Sequence, residues 1–294
     1  MSSSRLAIAS ARHLAYAPQY VAQALGFFER EGVEVELLTC PAGDSAIIDT
    51  LNGGQADLVL GSVLFALRMV QEGLSPVFVA QSNQNTRHWL MAREQQRTFV
   101  WGKLRGATVV VSPTNVPTPW VAFRQALFNK GLALDEVAFV IGYSAEQAVS
   151  EFRRGVGDFL LVDPESIDPR TGLTEVASVA AALGPVPWSV YCSTSALASE
   201  KCGPIAAFRK AVSAATIWLY DNSAQQASSV LAKVFADKKA SEIAAQVARY
   251  QRAELWVPDA RIDPTHVATW DDALKRGGLI PSGLGLAQLC QKSQ

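Results

Sequence analysis

The chain alternates short apolar runs with stretches of helical periodicity. Leu6-Ala7-Ile8-Ala9 predicts a first strand. Residues 17–31 set Val21, Leu25 and Phe28 at i, i+4, i+7 spacing, which predicts one amphipathic helix stopped by Gly32. Residues 33–38 alternate with period two before turning apolar, the pattern of a strand with one wet face at its start. A helix over 44–52 leaving through Gly53-Gly54, a strand over 57–60, a helix over 63–72 and an apolar strand over 76–80 extend this to a βαβαβ rhythm. Such a rhythm predicts a parallel sheet with helices on both faces.

The rhythm then restarts. Residues 88–92 read as a connecting strand, 107–111 as a strongly β-branched strand, and 118–130 as a helix ending at Gly131. A strand over 137–141, a helix over 144–154, a strand over 159–162 and a return through 174–191 follow. The remainder is mostly helical, with segments at 204–220, 223–236, 239–251 and 265–276. No solenoid repeat, heptad run or low-complexity stretch is present. The expectation is two α/β lobes with the second inserted into the first. Lobe I takes residues 1–85 and 186–294, lobe II takes 86–185, and crossings near 84–88 and 180–188 serve as hinge strands.

Composition narrows the function. A length of 294 residues suits about two domains. Twenty-six Lys+Arg against 27 Asp+Glu leave a formal charge of −1, so the chain lacks the electrostatic footprint of a nucleic-acid or acidic-membrane binder. With 18% charged and 49% hydrophobic residues it is far from the composition of a disordered chain. Residues 176–199 carry no charge, but Gly184-Pro185-Val186-Pro187 and several Ser/Thr would break or hydrate a spanning helix. The opening MSSSRLAIAS has no basic segment followed by an apolar core, so no secretory signal is visible. The location expected is the periplasm if an exporting signal was removed, and otherwise the cytoplasm. Cys40, Cys192, Cys202 and Cys290 lie far apart, without CxxC or a metal-spaced His, and read as ordinary buried thiols.

Catalytic motifs are missing. The three histidines, His13, His88 and His266, stand outside any HExxH, and neither GxSxG nor a phosphate-binding P-loop occurs. Gly155-Val156-Gly157 starts like a dinucleotide fingerprint but has Leu160 at the third glycine position. Asp57, Asp158 and Asp163 lie near strand ends without forming a close pair. No cofactor and no metal site is expected.

What recurs instead is polar, small or aromatic residues just past strand ends, where open α/β sheets bind ligands and helix N-termini offer unpaired N–H groups. These loops carry Arg12, His13 and Tyr16, then Gly43, Asp44 and Ser45, then Ser62, then Asn83, and finally Ser112, Thr114, Thr118 and Trp120. Each has a plainer reading as well. Asp44 and Ser45 cap any helix well, the proline-rich 113–119 segment suits a stiff turn, Trp120 suits a core, and a lone His13 suits an ordinary environment. Taken together they point to a binding cleft for a small, flat or anionic molecule.

A longer pattern adds to this. It runs from Tyr20-Val21-Ala22 through Ala24-Leu25-Gly26-Phe27-Phe28 and Glu31-Gly32-Val33-Glu34-Val35 to Thr50-Leu51-Asn52-Gly53-Gly54-Gln55-Ala56-Asp57. Leu104-Arg105-Gly106, Leu127 with Gly131-Leu132, Gly157-Asp158, the Ala206 to Ala215 helix and Gly277-Gly278-Leu279-Ile280 continue it. In this order and spacing the chain resembles, nearly end to end, the substrate-binding proteins of ABC importers of the sulfonate/nitrate/taurine and thiamine-pyrimidine-precursor type. The resemblance implies the type II periplasmic-binding-protein fold: α/β, two lobes, the second inserted into the first, with the ligand cleft between them. It also implies a small-molecule ligand, an ABC permease as membrane partner, no nucleic acid, a monomer, and no chemistry. The ligand-facing positions it implies are the loop after the first strand, the Gly43-Asp44-Ser45 turn, Ser62 after Gly61, the turn from Ser112 to Thr118, Asp163 and the crossover at Trp188. Trp188 and Tyr191 also have a plainer reading as hinge packing.

Two enzymatic relatives of that fold fit poorly. A fungal-type pyrimidine synthase needs a cysteine-rich iron motif and a pyridoxal-phosphate lysine in its first lobe, whereas here no such cluster exists and no lysine precedes Lys103. An aromatic-sulfinate desulfinase needs a nucleophilic cysteine in the first loop, which here reads Ala11-Arg12-His13-Leu14-Ala15-Tyr16. The expectation is a solute receptor for an organic anion, such as a sulfonate or aromatic acid, or for a pyrimidine-like precursor. The alternatives are a cytoplasmic enzyme of the same fold acting on a small aromatic or sulfur-containing acid, with His13 as base, or a ligand sensor.

Overall fold

Alternation over the first residues produces β1 (Arg5–Ala11), in which Leu6, Ile8 and Ala9 are fully buried. The computed structural model describes residues 4–41, 44–96, 98–112, 117–281, 283 and 285–290. After β1 comes α1 (Ala17–Ala24), entered through Pro18, a residue suited to a helix start because its missing N–H is not needed there. The single helix predicted over 17–31 is instead two. Gly26 adopts a left-handed conformation, φ 70°, that a β-carbon disfavours, and it separates α1 from the one-turn α2 (Phe27–Arg30). Then follow β2 (Glu34–Cys40), α3 (Asp44–Asn52), β3 (Leu58–Gly61), α4 (Leu64–Gln71) and β4 (Pro76–Asn83).

The next stretch holds β5 (Trp89–Ala92), β6 (Thr108–Val111), α5 (Thr118–Asn129), β7 (Ala138–Val140), α6 (Ala145–Arg153), β8 (Phe159–Val162), β9 (Thr174–Ser178) and α7 (Val179–Leu183). It is followed by β10 (Ser189–Thr194), α8 (Ser195–Glu200), α9 (Cys202–Asp221), α10 (Ala224–Leu231), α11 (Ala240–Arg252) and α12 (Pro264–Arg276). The uncharged stretch 176–199 is shared among β9, α7, β10 and α8, and among the described residues no helix is long and apolar enough to cross a membrane. The chain forms two compact units. The first is Met1–Gln84, Val186–Asp271 and Ser282–Gln294, and the second is Asn85–Pro185 and Asp272–Pro281.

The first unit's sheet has the order β2-β1-β3-β10-β4. β1 pairs in parallel with β2 and with β3, as the βαβ rhythm predicts. The all-parallel expectation fails at the next position, because β10 runs antiparallel between β3 and β4. Local periodicity gives no sign of a strand that arrives only after residues 85–185. The second unit repeats the arrangement as β7-β6-β8-β5-β9, with β6 parallel to β7 and β8, and β5 antiparallel between β8 and β9. In both sheets the fourth place goes to the first strand the chain makes on entering that unit from the other.

Matching carboxylates anchor the strand starts. The Ala7 N–H donates to Asp57 Oδ2 at 2.8 Å, and the Asp57 N–H returns a bond to the Ala7 carbonyl at 2.8 Å. In the second unit the Thr108 N–H donates to Asp158 Oδ2 at 2.8 Å, and the Asp158 N–H donates to the Thr108 carbonyl at 2.7 Å. Lys201 lies 2.7 Å from Asp57 Oδ1. These two aspartates hold register, since each satisfies backbone groups that the parallel ladder leaves over at its entrance.

The core of the first unit gathers β1, α1, α9, α10 and α11 around aromatic side chains. Phe208 on α9 stacks against Phe28 with centroids 5.7 Å apart and meets the Tyr191 ring of β10 edge-on at 4.8 Å. The second unit buries Met91, Val110, Phe152, Leu160 and Val162 together. All four cysteines are free thiols; Cys40 and Cys192 are buried as expected, whereas Cys202, at the solvent-facing start of α9, is exposed. Replacing Phe208 by Ala removes a fully buried ring with two aromatic neighbours, and should cost about 3–5 kcal/mol. Urea unfolding followed by tryptophan fluorescence checks this; a loss under about 1 kcal/mol would contradict the packing described.

Candidate functional site

In the first unit, the turn after β1 is held from beneath by buried polar groups. Gln19 Nε2 donates to Ser10 Oγ at 3.0 Å, and the Tyr191 hydroxyl donates to Gln19 Oε1 at 3.3 Å. Burial pushes the Tyr191 phenol far above its ordinary value, so it stays a neutral donor. The Trp256 indole N–H donates to the Ala15 carbonyl at 2.8 Å from the other side. Sequence reasoning missed Gln19 and Trp256, because only the tertiary pairing brings them, with Tyr191, under one turn.

On this support sit three predicted site residues. His13 caps a 3-10 turn, and its Nδ1 accepts the Ala15 N–H at 3.0 Å. That bond makes Nε2 the nitrogen that carries the proton in the neutral ring. Tyr16, half-buried, lies 6.1 Å from the His13 ring, centroid to centroid. Arg12 braces the turn from outside. Its guanidinium pairs with Asp237 at 2.5 Å, donates to the Val234 carbonyl at 3.0 Å and lies over the Phe235 ring. Asp237 also accounts for the rise in the Arg12 pKa, through the hydrogen bond between them.

Ser62 follows β3, next to β1 in the sheet, and its Oγ accepts the Leu64 N–H at 3.3 Å. Gly43 lies outside the described residues; Asp44 and Ser45 open α3, and their side chains are outside the description. Asn83 is completely buried and belongs to the joint between β4 and β10. Its side chain donates to Ser189 Oγ at 3.4 Å and accepts from Ser82 Oγ at 3.1 Å, and its carbonyl accepts the Trp188 N–H at 3.0 Å. Trp188, 7% exposed, packs against Trp270 with ring centroids 5.7 Å apart.

In the second unit, Ser112 follows β6, and its N–H bonds the Leu161 carbonyl of neighbouring β8 at 2.9 Å. Thr118 is buried at the start of α5, and Thr114 lies outside the described residues. Trp120 meets the Phe139 ring of β7 edge-on at 4.9 Å and the Phe123 ring at 6.4 Å, so it takes part in the packing of α5 on the sheet.

Asp163 closes β8. Its Oδ1 accepts the Glu165 N–H at 3.0 Å and its Oδ2 forms an ion pair with Arg87. The antiparallel register Trp89↔Val162 brings Arg87 and His88, which lead into β5, beside this carboxylate. His88 is buried, with Nδ1 2.9 Å from Thr86 Oγ1. Burial lowers its pKa to about 4, with Asp163 opposing and Arg87 adding to the shift. Thr86, Arg87 and His88 were also missed; their run is legible as polar, but only the β5–β8 pairing gives it a partner.

The structure therefore brings His13, Tyr16 and Ser62 to the carboxyl ends of β1 and β3, and Ser112 and Asp163 to those of β6 and β8. Asn83, Trp188 and Trp120 are placed in packing. A family model, NMT1/THI5-like, matches residues 14–226. The chain belongs to the NMT1/THI5-like family. As a member it is similar to the putative binding protein YtlA of Bacillus subtilis, 24% identical over 94% of this chain and 84% of YtlA. The crystal structure of the periplasmic aliphatic sulphonate binding protein SsuA from Escherichia coli aligns with a TM-score of 0.73 at 17% identity, over 97% of this chain and 96% of SsuA. The Candida albicans CA3427 gene product, described as having the generic periplasmic binding protein structural fold, aligns with a TM-score of 0.63 at 14% identity, over 100% and 97% of the two chains. This family member has the periplasmic-binding-protein fold, as the resemblance in sequence implied.

The buried His88 gives the fold a pH dependence of definite sign. Between its ordinary value of 6.5 and about 4, the unfolded chain takes up a proton that the folded chain refuses. Its contribution is harmless above that window and destabilising as pH falls through it, by roughly 3 kcal/mol in total. His88→Gln should therefore lose less stability than the parent between pH 7 and pH 4. Parallel stability–pH curves from denaturant titrations would refute this.

Proposed function

We propose that the chain is a solute receptor that binds a small organic anion, of the sulfonate or aromatic carboxylate class, and delivers it unchanged to an ABC permease. The observation that carries this reading is the pair of matching sheets whose carboxyl ends hold small polar turns built on rigid, buried supports. Open α/β sheets bind ligands at that edge. In the first unit the Nε2–H of His13, the ring of Tyr16 and the hydroxyl of Ser62 offer donors and an aromatic face, a combination suited to an anion with a flat or short organic body. Arg12 acts as a brace for its turn, being engaged with Asp237. Family membership and the sulphonate ligand in the name of the E. coli relative support the same class.

On this reading the receptor works as a monomer outside the cytoplasmic membrane. His88, with its pKa near 4, stays neutral at physiological pH and acts in the support of Asp163.

A thermal-shift panel of aliphatic sulfonates, nitrate, aromatic acids and pyrimidines tests the proposal. A ligand at 100 times its dissociation constant stabilises the native state by about 2.7 kcal/mol, a readily resolved rise in Tm. The expected result is a hit among the sulfonates or aromatic acids that is recovered chemically intact and weakened by His13→Ala. Conversion of the hit during incubation would overturn the receptor reading and point to an enzyme with His13 as base.

A further inference from the structure

Within the second unit, residues 272–281 pack along α5, and they do so at close range. A β-carbon on Gly277 would stand 2.5 Å from Val121 Cγ2, so only glycine lets the backbone approach this helix. Beside that contact α5 and the last turn of α12 leave an open groove of about 150 Å³. Its floor is buried and apolar, made of Val121, Leu127, Leu132 and Ala273. Its walls include Phe128 and Leu134, 63% and 39% exposed, which are two of the few large apolar side chains left in water among the described residues.

Two arginines line the same groove. The Arg124 guanidinium makes no ion pair or hydrogen bond among the described residues, although it is half-buried. Arg276 lies over the Phe128 ring, 4.7 Å from its centroid, and likewise has no carboxylate partner among the described residues. The neighbouring acids Asp135 and Asp272 are exposed and form no ion pair with either arginine. An apolar cavity of this volume holds a benzene-sized body. Arginine's planar fork matches a carboxylate bidentately.

We propose that this groove is a second ligand site, distinct from the strand-end turns, for a small amphipathic monocarboxylate. Its apolar body fills the space between α5 and residues 273–277, and its carboxylate pairs with Arg124 and Arg276. The site is independent of the receptor reading, since it uses none of the residues invoked there.

The test uses 3-phenylpropionate and its neutral analogue 3-phenylpropanol, titrated into the full-length protein while backbone amide shifts are followed by NMR. The expected result is saturable shifts confined to residues 121–134 and 273–277, with a dissociation constant on the order of 1 mM or tighter. The alcohol should bind several-fold more weakly, and both Arg124→Gln and Arg276→Gln should weaken the acid by about tenfold, because each removes a charge-assisted hydrogen bond. Both arginines reach solvent, so these variants should keep the parent's spectrum elsewhere. No saturable shift up to about 10 mM, equal binding of acid and alcohol, or shifts centred on the turns after β1 and β6 would each overturn the proposal.

Discussion

The antiparallel ladders made by β10 and β5 are the joints on which the two units depend. In the first unit β4 joins the sheet through β10, from Ser189↔Asn83 to Thr194↔Pro76. In the second, β9 joins the sheet through β5. Each of these strands enters its unit from the other one; the second sheet is made from the one stretch 89–178, whereas the first is completed only when β10 arrives after residues 85–185. Unmade ladder bonds in a buried sheet cost free energy comparable to lost hydrogen bonds, which makes both incoming strands obligatory to their sheets. The chain segments at the crossings are tied down as well. The Val186 N–H bonds the Gln84 carbonyl at 2.8 Å in the first unit, and the Val179 N–H bonds the His88 carbonyl at 3.1 Å in the second.

The same two strands also carry groups to the candidate site. Tyr191 lies on β10 and reaches Gln19, which holds Ser10 under the turn that presents His13 and Tyr16. Arg87 and His88 lead into β5 and come to rest beside Asp163 at the end of β8. Completing each sheet therefore sets up its polar edge, and the candidate groups are supported by strands rather than by free loops. Such an arrangement suits a receptor, where contacts must be in place before the solute arrives and nothing need be transformed afterwards.

Strong local periodicity was legible. The strand at 159–162 appears with the bounds expected, and three C-terminal helices lie within two residues of their predicted spans, while α10 stops at Leu231, five residues short of the span expected to 236. Gly26 escaped the pattern because Leu25 and Phe28 keep helical spacing across a residue whose backbone does not. β10 escaped because hydrophobic alternation says nothing about which strands become neighbours. Asp57 and Asp158 were legible as lying near strand ends, but their bonds to the Ala7 and Thr108 amides depend on sheet register. At the site, His13, Tyr16 and Asp163 could be named from their positions after strands. The roles of Arg12 and Asn83 could not, since Asp237 and Ser189 approach them from distant parts of the chain, whereas Trp120 takes the plainer core reading that its sequence also allowed.

Native-state amide hydrogen exchange tests most directly whether the entering strands complete the sheets. If β10 is integral to the first unit, amides of β4 and β10 exchange only with the opening of that unit, at rates within about tenfold of buried β1 amides after correction for intrinsic rates. Exchange of β4 and β10 several orders of magnitude faster than β1 would show a detachable edge and contradict the account.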